Sequence, residues 1–444
     1  MRYLPHTHKD IEHMLGVLGI EHIDDLLKSI PNSLRNISID FPQAHAEADL
    51  MRYYTQMTGN EGQHCSFVGA GIYRHFVPAA VDALISRGEF LTSYTPYQAE
   101  ISQGTLQAIF EFQTIVSELM GLEIANASMY DGASATAEAA LMCLRLQKKR
   151  NLILSTAQLH PHYQASVQTH LRSIEAHIQS VPSHHGVCDL DALKNSLNQN
   201  VAALIVQQPN CLGLLEDMPS IAELCQRAGV KLVVTVPNIA SLGVLASPGA
   251  YNADIAVGEG LGIGIPMGFG GPALGLFTAK KEYLRQMPGR LCGETVDASG
   301  KKGYVLTLSA REQHIRRERA TSNICTNQGL NALAFTIHMS LLGSRGFEEL
   351  ATQCNKRARY LVERLQEIGI ERLYTGPYFN EVTVNLGPNC AAAIQAGVDK
   401  NMAIGFDISR WHKQYQGGLL INIHELHSKD ELDTLVDHLA EFKS

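Results

Sequence analysis

Between residues 151 and 278, short apolar runs rich in β-branched residues alternate with segments of helical periodicity. The predicted strands lie at residues 151–155, 201–207, 231–236, 254–257 and 273–278. Among the intervening segments, apolar residues recur at helical spacing from Ile221 to Ala228, and Gly229 is placed to end that helix. Alternation of strands and helices is typical of a parallel sheet with crossover helices. This region is therefore predicted to be an α/β domain.

The regions on either side follow other patterns. Residues 1–60 are predicted to form a helical arm, because they contain few strand signals. Residues 98–120 carry an apolar stripe that stops at a glycine, which predicts an amphipathic helix before the sheet. The last part combines a long helical region, two predicted strands and a final helix, which indicates a small α+β domain. We predict three parts, at residues 1–60, 61–330 and 331–444.

Composition limits the classes of function. The 444 residues include 36 Lys and Arg against 44 Asp and Glu, a net charge of −8. This balance argues against binding to nucleic acid or to an anionic membrane, because both require a basic surface. No uncharged apolar run approaches the roughly 20 residues that a bilayer requires, and the first residues contain no signal-peptide core. The nine cysteines form no C-x-x-C pair, so we expect a cytoplasmic protein with small-molecule or protein partners.

Two glycine-containing segments are candidate phosphate sites. Seven glycines lie between Gly258 and Gly271, but the spacing G-x-G-x-x-G does not occur and the run leads into a strand, which excludes a dinucleotide fingerprint. A backbone that another chain or a ligand approaches closely is the simpler interpretation. Residues 132–137 begin a predicted helix with small side chains only. Their free amides would suit a phosphate, and close packing is the alternative.

Two polar segments are stronger candidates for a site. Residues 94–104 gather phenols, amides, hydroxyls and a carboxylate around Pro96, although Thr95 as a helix cap would explain part of the pattern. Residues 311–319 form a mixed-charge run, which a solvated helix face would also explain. That run continues into the unusually polar residues 321–328, which favours a functional site.

The histidines give a weaker signal. His160 and His162 follow a predicted strand, where an imidazole ring can stack on a ligand. The 19 histidines show no H-E-x-x-H spacing and no Cys/His set, so we predict no metal site.

Four segments taken together resemble the glycine decarboxylases, the P-protein family of the glycine cleavage system. They are S-Y-T-P-Y-Q-A-E-I-S-Q-G, A-N-A-S-M-Y-D-G-A-S-A, G-I-P-M-G-F-G-G-P and R-E-Q-H-I-R-R-E-R-A-T-S-N-I-C-T-N-Q. The resemblance covers the whole chain and is to the N-terminal half of the long single-chain form, which many bacteria make as a separate α chain. It implies a pyridoxal-phosphate transferase-like large domain with a small α+β C-terminal domain. It also implies decarboxylation of glycine, with transfer of the aminomethyl group to the lipoyl arm of the H-protein.

The resemblance also shows where this chain departs from the cofactor-bearing half of the family. Leu261 stands where the Schiff-base lysine belongs, and Thr235 stands where the carboxylate facing the pyridine nitrogen belongs. A pyridoxal enzyme of this class needs both groups, so we expect this chain to hold no cofactor of its own. The resemblance then implies a sister β chain that holds pyridoxal phosphate, an α2β2 heterotetramer, and the lipoylated H-protein as a further partner.

Active sites of the family's fold lie at subunit interfaces, so the resemblance implies that this chain contributes side chains to its partner's site. The candidates are Tyr94, Thr95, Tyr97, Gln98, Glu100 and Ser102, with Arg311, Ser322, Asn323 and Thr326 opposite them. Two alternatives remain open. One is a self-sufficient pyridoxal-phosphate transferase that uses Lys280, and the other is a structural subunit that contributes no side chains.

Overall fold

The computed structural model describes residues 5–35, 37–58 and 64–443. Backbone contacts divide the chain into two compact units, residues 1–63 and 64–444. The boundary predicted at residue 60 lies outside the described residues. Over the described ranges, no helix has both the length and the apolar character that crossing a membrane requires.

The first unit contains two α-helices, α1 (His8–Leu18) and α2 (Glu47–Thr58). Helix α1 begins with a capping box, in which the Thr7 hydroxyl accepts the Asp10 N–H and the Asp10 carboxylate accepts the Thr7 N–H at 2.7 Å. It ends at Gly19 in the left-handed conformation, a common helix stop. Within the described part of this unit, no residue of α1 or α2 is buried.

The second unit contains the remaining elements. Its strands are β1 (Cys65–Ser66), β2 (Ile124–Ala125), β3 (Leu152–Thr156), β4 (His177–Val181), β5 (Ser183–His184), β6 (Val187–Cys188), β7 (Val201–Gln207), β8 (Lys231–Val236), β9 (Ile255–Glu259), β10 (Gly275–Ala279), β11 (Leu291–Val296), β12 (Lys302–Thr307), β13 (Glu381–Asn385), β14 (Met402–Ala403), β15 (Phe406–Asp407) and β16 (Gly418–Asn422). Its helices are α3 (Ala79–Ile85), α4 (Gly88–Leu91), α5 (Gln103–Met120), α6 (Gly132–Leu146), α7 (Pro161–Leu171), α8 (Leu190–Ser196), α9 (Met218–Ala228), α10 (Gln313–Arg316), α11 (Gly329–Glu367), α12 (Cys390–Asp399) and α13 (Lys429–Ala440).

A seven-stranded sheet in the order β2-β10-β9-β8-β7-β3-β4 forms the centre of this unit. The five strands from β9 to β4 are parallel, and β10 and β2 complete the sheet with antiparallel pairings. Successive residues of β8 point to opposite faces, so Val233 packs in one core cluster and Val234 in another. Helices α6 and α7 cover one face, and α5, α9 and the start of α11 cover the other. The predicted α/β fold is confirmed.

The C-terminal part contains a smaller antiparallel sheet in the order β13-β16-β15. Its apolar side chains form one core cluster with α12, α13 and the second half of α11. Helix α11 is kinked at Gly343, whose φ of 60° and ψ of −176° are not helical. A division near residue 330 stays a prediction, although α11 begins at that point.

The helix predicted over residues 98–120 begins five residues later than expected. Residues Ala99–Ile101 form a separate 3₁₀ turn, so Thr95 is not the helix cap. The cause is a tertiary contact, because the Gln103 side chain donates to the Tyr304 carbonyl at 2.9 Å and accepts the Tyr304 N–H at 2.9 Å. This pairing fixes the segment before α5 against β12.

Glu381 ties the segment after β1 to the small C-terminal sheet. Its carboxylate accepts the Ala70 N–H at 2.8 Å and the Tyr73 hydroxyl at 2.7 Å. Burial raises the pKa of Glu381 to about 7, because these two bonds only partly offset the loss of hydration.

The raised pKa predicts a pH-dependent stability. The folded chain keeps the Glu381 proton up to about pH 7, whereas the unfolded chain releases it near the ordinary value of 4.5. The folded state therefore binds more protons in this window, and the free energy of unfolding falls as pH rises from 4.5 to 7. In Glu381→Gln the amide oxygen still accepts the Ala70 N–H, and the amide N–H donates to the Tyr73 oxygen, which reverses the direction of that bond. At about pH 8 we expect the variant to be more stable than wild type by up to about 3 kcal/mol in urea unfolding.

The matched control for this prediction is Glu363→Gln, an exposed glutamate on α11. It is expected to follow the wild-type pH profile. Parallel profiles for Glu381→Gln and wild type would contradict the assigned protonation.

Candidate functional site

The carboxyl edge of the parallel strands is where ligands bind in open α/β sheets, and the N-terminus of α6 lies there. The Asp131 carboxylate accepts the Ser134 N–H at 2.7 Å. The Glu259 carboxylate, at the end of β9, accepts the Gly132 N–H at 2.9 Å. Two amides of the segment considered as a phosphate site are therefore bound by carboxylates of the chain itself.

Glu259 holds several backbone groups at this edge. Its other carboxylate oxygen accepts the N–H groups of Leu261 and Leu274, each at 2.9 Å. Only 7% of Glu259 is exposed, and burial raises its pKa to about 7 against the effect of these donors. An anion brought to the start of α6 would have to displace this carboxylate.

The two positions at which the family resemblance predicts the lysine and the carboxylate hold an apolar and a neutral residue. Leu261 is 6% exposed and packs in a core cluster with Ile263 and Ile265. Thr235 is fully buried in β8, and its hydroxyl oxygen lies 3.3 Å from the hydroxyl oxygen of Thr136 in α6. Leucine cannot form an imine and threonine does not ionise, so these residues do not fit a Schiff-base-bound pyridoxal phosphate.

His160 does not present an open face at the same edge either. Its Nε2 lies 3.0 Å from the Ala70 carbonyl oxygen, and its Nδ1 accepts the His162 N–H at 3.1 Å. Its ring packs against Trp411 with centroids 4.9 Å apart. Burial lowers the pKa of His160 to about 4, so the imidazole is neutral. The predicted stacking position is thus filled by an aromatic side chain of the chain itself.

Lys280 lies at the other edge of the sheet. It follows β10, which runs antiparallel to β9 with Ala279 paired to Ile255, the first residue of β9. Its ammonium lies 3.5 Å from the Asp254 carboxylate, which also receives a hydrogen bond from Lys231. Lys280 is next to the amino end of β9, whereas Leu261 follows its carboxyl end, so the two residues lie at opposite ends of this strand.

A second candidate site is a cavity of about 110 Å³ between the two polar segments. Tyr94 and Thr95 line one side, and Thr326 and Asn327 line another. The two segments singled out in the sequence therefore meet in the structure, although they are separated by more than 200 residues.

Arg290, which no sequence motif singles out, also lines this cavity. It is 4% exposed, and its guanidinium donates to the Tyr97 hydroxyl at 3.2 Å and to Asn327 Oδ1 at 3.5 Å. Its Nε lies 3.6 Å from the Glu312 carboxylate. In the sequence, Arg290 is only a single arginine before a predicted apolar segment. A surface arginine, with its aliphatic part packed on the protein and its guanidinium in water, would give the same pattern.

Most of the other predicted site residues are exposed or half-buried, whereas Arg311 makes hydrogen bonds within the chain. Tyr94 and Tyr97 are 81% and 59% exposed. The exposed polar residues are Gln98, Glu100 and Asn323, while Ser102 and Ser322 are half-buried. The Arg311 guanidinium donates to the backbone carbonyls of Leu308, Met287 and Gly289. Arg311 thus supports the loop before Arg290 and does not line the cavity.

Residues 1–439 match the family described as "Glycine cleavage system P-protein". The chain belongs to this P-protein family. A relative from Rhodospirillum rubrum called "Probable glycine dehydrogenase (decarboxylating) subunit 1" is 47% identical and covers 99% of this chain and 100% of its own. A relative of the same name from Anoxybacillus flavithermus is 43% identical and covers 100% of this chain and 99% of its own.

Solved structures agree with the P-protein assignment. A crystal structure of glycine decarboxylase (P-protein) in inhibitor-bound form matches with a TM-score of 0.89, 41% identity and full coverage of both chains. A NifS-like protein matches with a TM-score of 0.63 at 12% identity, which shows the fold alone. The predicted resemblance and the transferase-like fold of the pyridoxal-phosphate enzymes are both confirmed. The name subunit 1 implies that P-proteins of this kind have a partner subunit.

Proposed function

We propose that this chain is the α subunit of a two-chain glycine dehydrogenase (decarboxylating) whose sister β chain holds pyridoxal phosphate. The complex decarboxylates glycine and passes the aminomethyl group to the lipoyl arm of the H-protein. The proposal rests on the P-protein family and on the relatives named subunit 1 over nearly their full length.

The observation that carries the division of labour is Leu261 at the carboxyl edge of β9. This residue is buried in the core, while Glu259 and Asp131 bind amides at the start of α6. A chain built in this way has the fold of the enzyme without a place for its cofactor, so the chemistry belongs to a partner.

The contribution of this chain is a set of side chains at the 110 Å³ cavity. Tyr94, Thr95 and Thr326 line it, and the neighbouring Tyr97 contacts Arg290. Large exposed aromatic groups beside a buried cation suit a surface that a second chain covers. We propose that Tyr94, Thr95, Tyr97, Gln98, Glu100, Ser102, Ser322, Asn323 and Thr326 border the shared active site, with Arg311 supporting them. An α2β2 assembly would contain two such sites.

We also propose a cytoplasmic location. All nine cysteines are unpaired, and eight of them are buried or half-buried, as expected in a reducing compartment.

The assignment of the cofactor is tested by reducing the co-expressed complex with borohydride and mapping pyridoxyl-lysine by mass spectrometry. We expect the adduct on the sister chain alone, because this chain presents leucine at the decisive position. Lys280→Gln is the matched variant and should leave the aldimine absorption of the complex unchanged. A stoichiometric adduct on any lysine of this chain would overturn the proposal.

A further inference from the structure

Three potential metal ligands from distant parts of the sequence meet in the second unit. His75 precedes α3, Cys354 lies in α11, and Glu425 follows β16. One ligand atom from each lies within 4.8 Å of the others. His75 Nδ1 is 2.9 Å from the Glu425 Oε2, and the Cys354 Sγ is 3.5 Å from the same oxygen. The fold therefore gathers nitrogen, sulfur and oxygen donors around one small volume.

The three side chains are withdrawn from water. Cys354 is fully buried, and the side chains of His75 and Glu425 are 2% and 16% exposed. His75 Nε2 is buried and has no hydrogen-bond partner among the described residues. Burial raises the pKa of the Cys354 thiol, so without a cation this sulfur stays protonated. Burial opposes ionisation of Glu425 as well, but its contacts with His75 and the Phe76 N–H hold its pKa at about 2.

A second buried imidazole lies in the surroundings of this cluster. His338 is 1% exposed, and its Nδ1 also has no hydrogen-bond partner in the described part of the chain. Burial is the main cause of the lowered pKa of His338, about 4, and the nearby His75 imidazole contributes to it. This imidazole is therefore neutral near pH 7 and adds no positive charge that would repel a cation.

We propose that His75, Cys354 and Glu425 bind one zinc ion, with water at the fourth position. Thiolate, imidazole and carboxylate are the zinc ligands of proteins, at about 2.3, 2.0 and 2.1 Å from the metal. Tetrahedral geometry at those lengths separates the donors by about 3.3–3.6 Å, so the His75–Glu425 pair would open by roughly half an ångström. Zinc binding releases the Cys354 proton to solvent.

The charges of such a site balance. A divalent cation is neutralised by one thiolate and one carboxylate, and the imidazole stays neutral. The partly exposed Glu425 side chain gives water a route to the fourth position. The ion would join the segment before α3 to α11 and to the end of the small sheet. The sequence alone predicts no metal site, because residues 75, 354 and 425 show none of the short spacings of known zinc motifs.

The test uses the full chain purified without a histidine tag from zinc-supplemented medium. We expect about one zinc per chain by elemental analysis, and a sulfur-to-cobalt charge-transfer band after exchange with Co²⁺. Cys354→Ser should lose that band, whereas Cys390→Ser, at a buried cysteine in another cluster, should keep it.

X-ray absorption of the wild-type protein keeps the test independent of how the variants fold. We expect one sulfur neighbour at about 2.3 Å together with nitrogen or oxygen neighbours. Wild-type protein that takes up neither zinc nor cobalt stoichiometrically would overturn the proposal. A cobalt band that survives in Cys354→Ser would also overturn it.

Discussion

Tyr97→Phe is expected to slow the exchange of CO₂ with the glycine carboxyl group by roughly 30- to 1,000-fold in the reconstituted complex with H-protein. The Tyr97 ring is exposed, and its hydroxyl accepts a hydrogen bond from the buried Arg290. An orienting contact is commonly worth about 2–4 kcal/mol in the transition state, which gives that range of rates. Because the Tyr97 hydroxyl is expected to orient the reactants and to form no covalent bond with them, the aldimine absorption of the complex should not change in Tyr97→Phe.

Glu100→Gln tests the same surface by removing one exposed carboxylate of the segment. We expect Glu100→Gln, like Tyr97→Phe, to slow the exchange of CO₂ with the glycine carboxyl group. Tyr360→Phe is the control, because it removes a tyrosine hydroxyl bonded to Asp433 at 2.6 Å, far from the cavity in sequence. If Tyr97→Phe and Glu100→Gln exchange CO₂ at the wild-type rate, the segment is structural and the chain contributes no side chain there.

Leu261→Lys is expected to destabilise the chain by about 3–5 kcal/mol and still to bind no pyridoxal phosphate covalently. The substitution removes a buried apolar side chain from a core cluster and places an amine there without a described acidic partner other than Glu259. The start of α6 stays bound by Glu259, so the phosphate of a cofactor finds no free amide at Gly132. Urea unfolding gives the change in stability, and borohydride reduction detects any adduct.

Leu261→Met is the matched control, since it nearly conserves volume and should cost less than about 1.5 kcal/mol. Stability of Leu261→Lys equal to that of Leu261→Met would contradict the buried position. A pyridoxyl adduct on the introduced lysine would show that the pocket is open.

Much of the fold follows from the sequence because apolar runs and turn residues act locally. Strands β7 and β8 begin and end at the predicted residues, since each is a short β-branched run between polar or turn-forming segments. The predicted start of α5 is wrong because the Gln103 side chain pairs with Tyr304, about 200 residues away. No local pattern contains that contact.

The candidate site shows the same division between local and distant information. The clustering of polar groups in residues 94–104 and 321–328 is visible in one segment at a time, and both segments reach one cavity. Arg290 could not be recognised, because its role depends on Tyr97 and Asn327 from separate segments. Whether these side chains act on a partner's substrate stays a prediction.

The hydrogen bonds that Glu259 accepts from three backbone amides restrict which substitutions this chain can tolerate during evolution. A single codon change that restored lysine at position 261 would gain nothing while the carboxylate occupies the start of α6. Changing Glu259 first would leave three buried N–H groups unpaired and would be selected against. Because each step alone is unfavourable, the division of labour proposed above would be difficult to reverse by single substitutions in this chain.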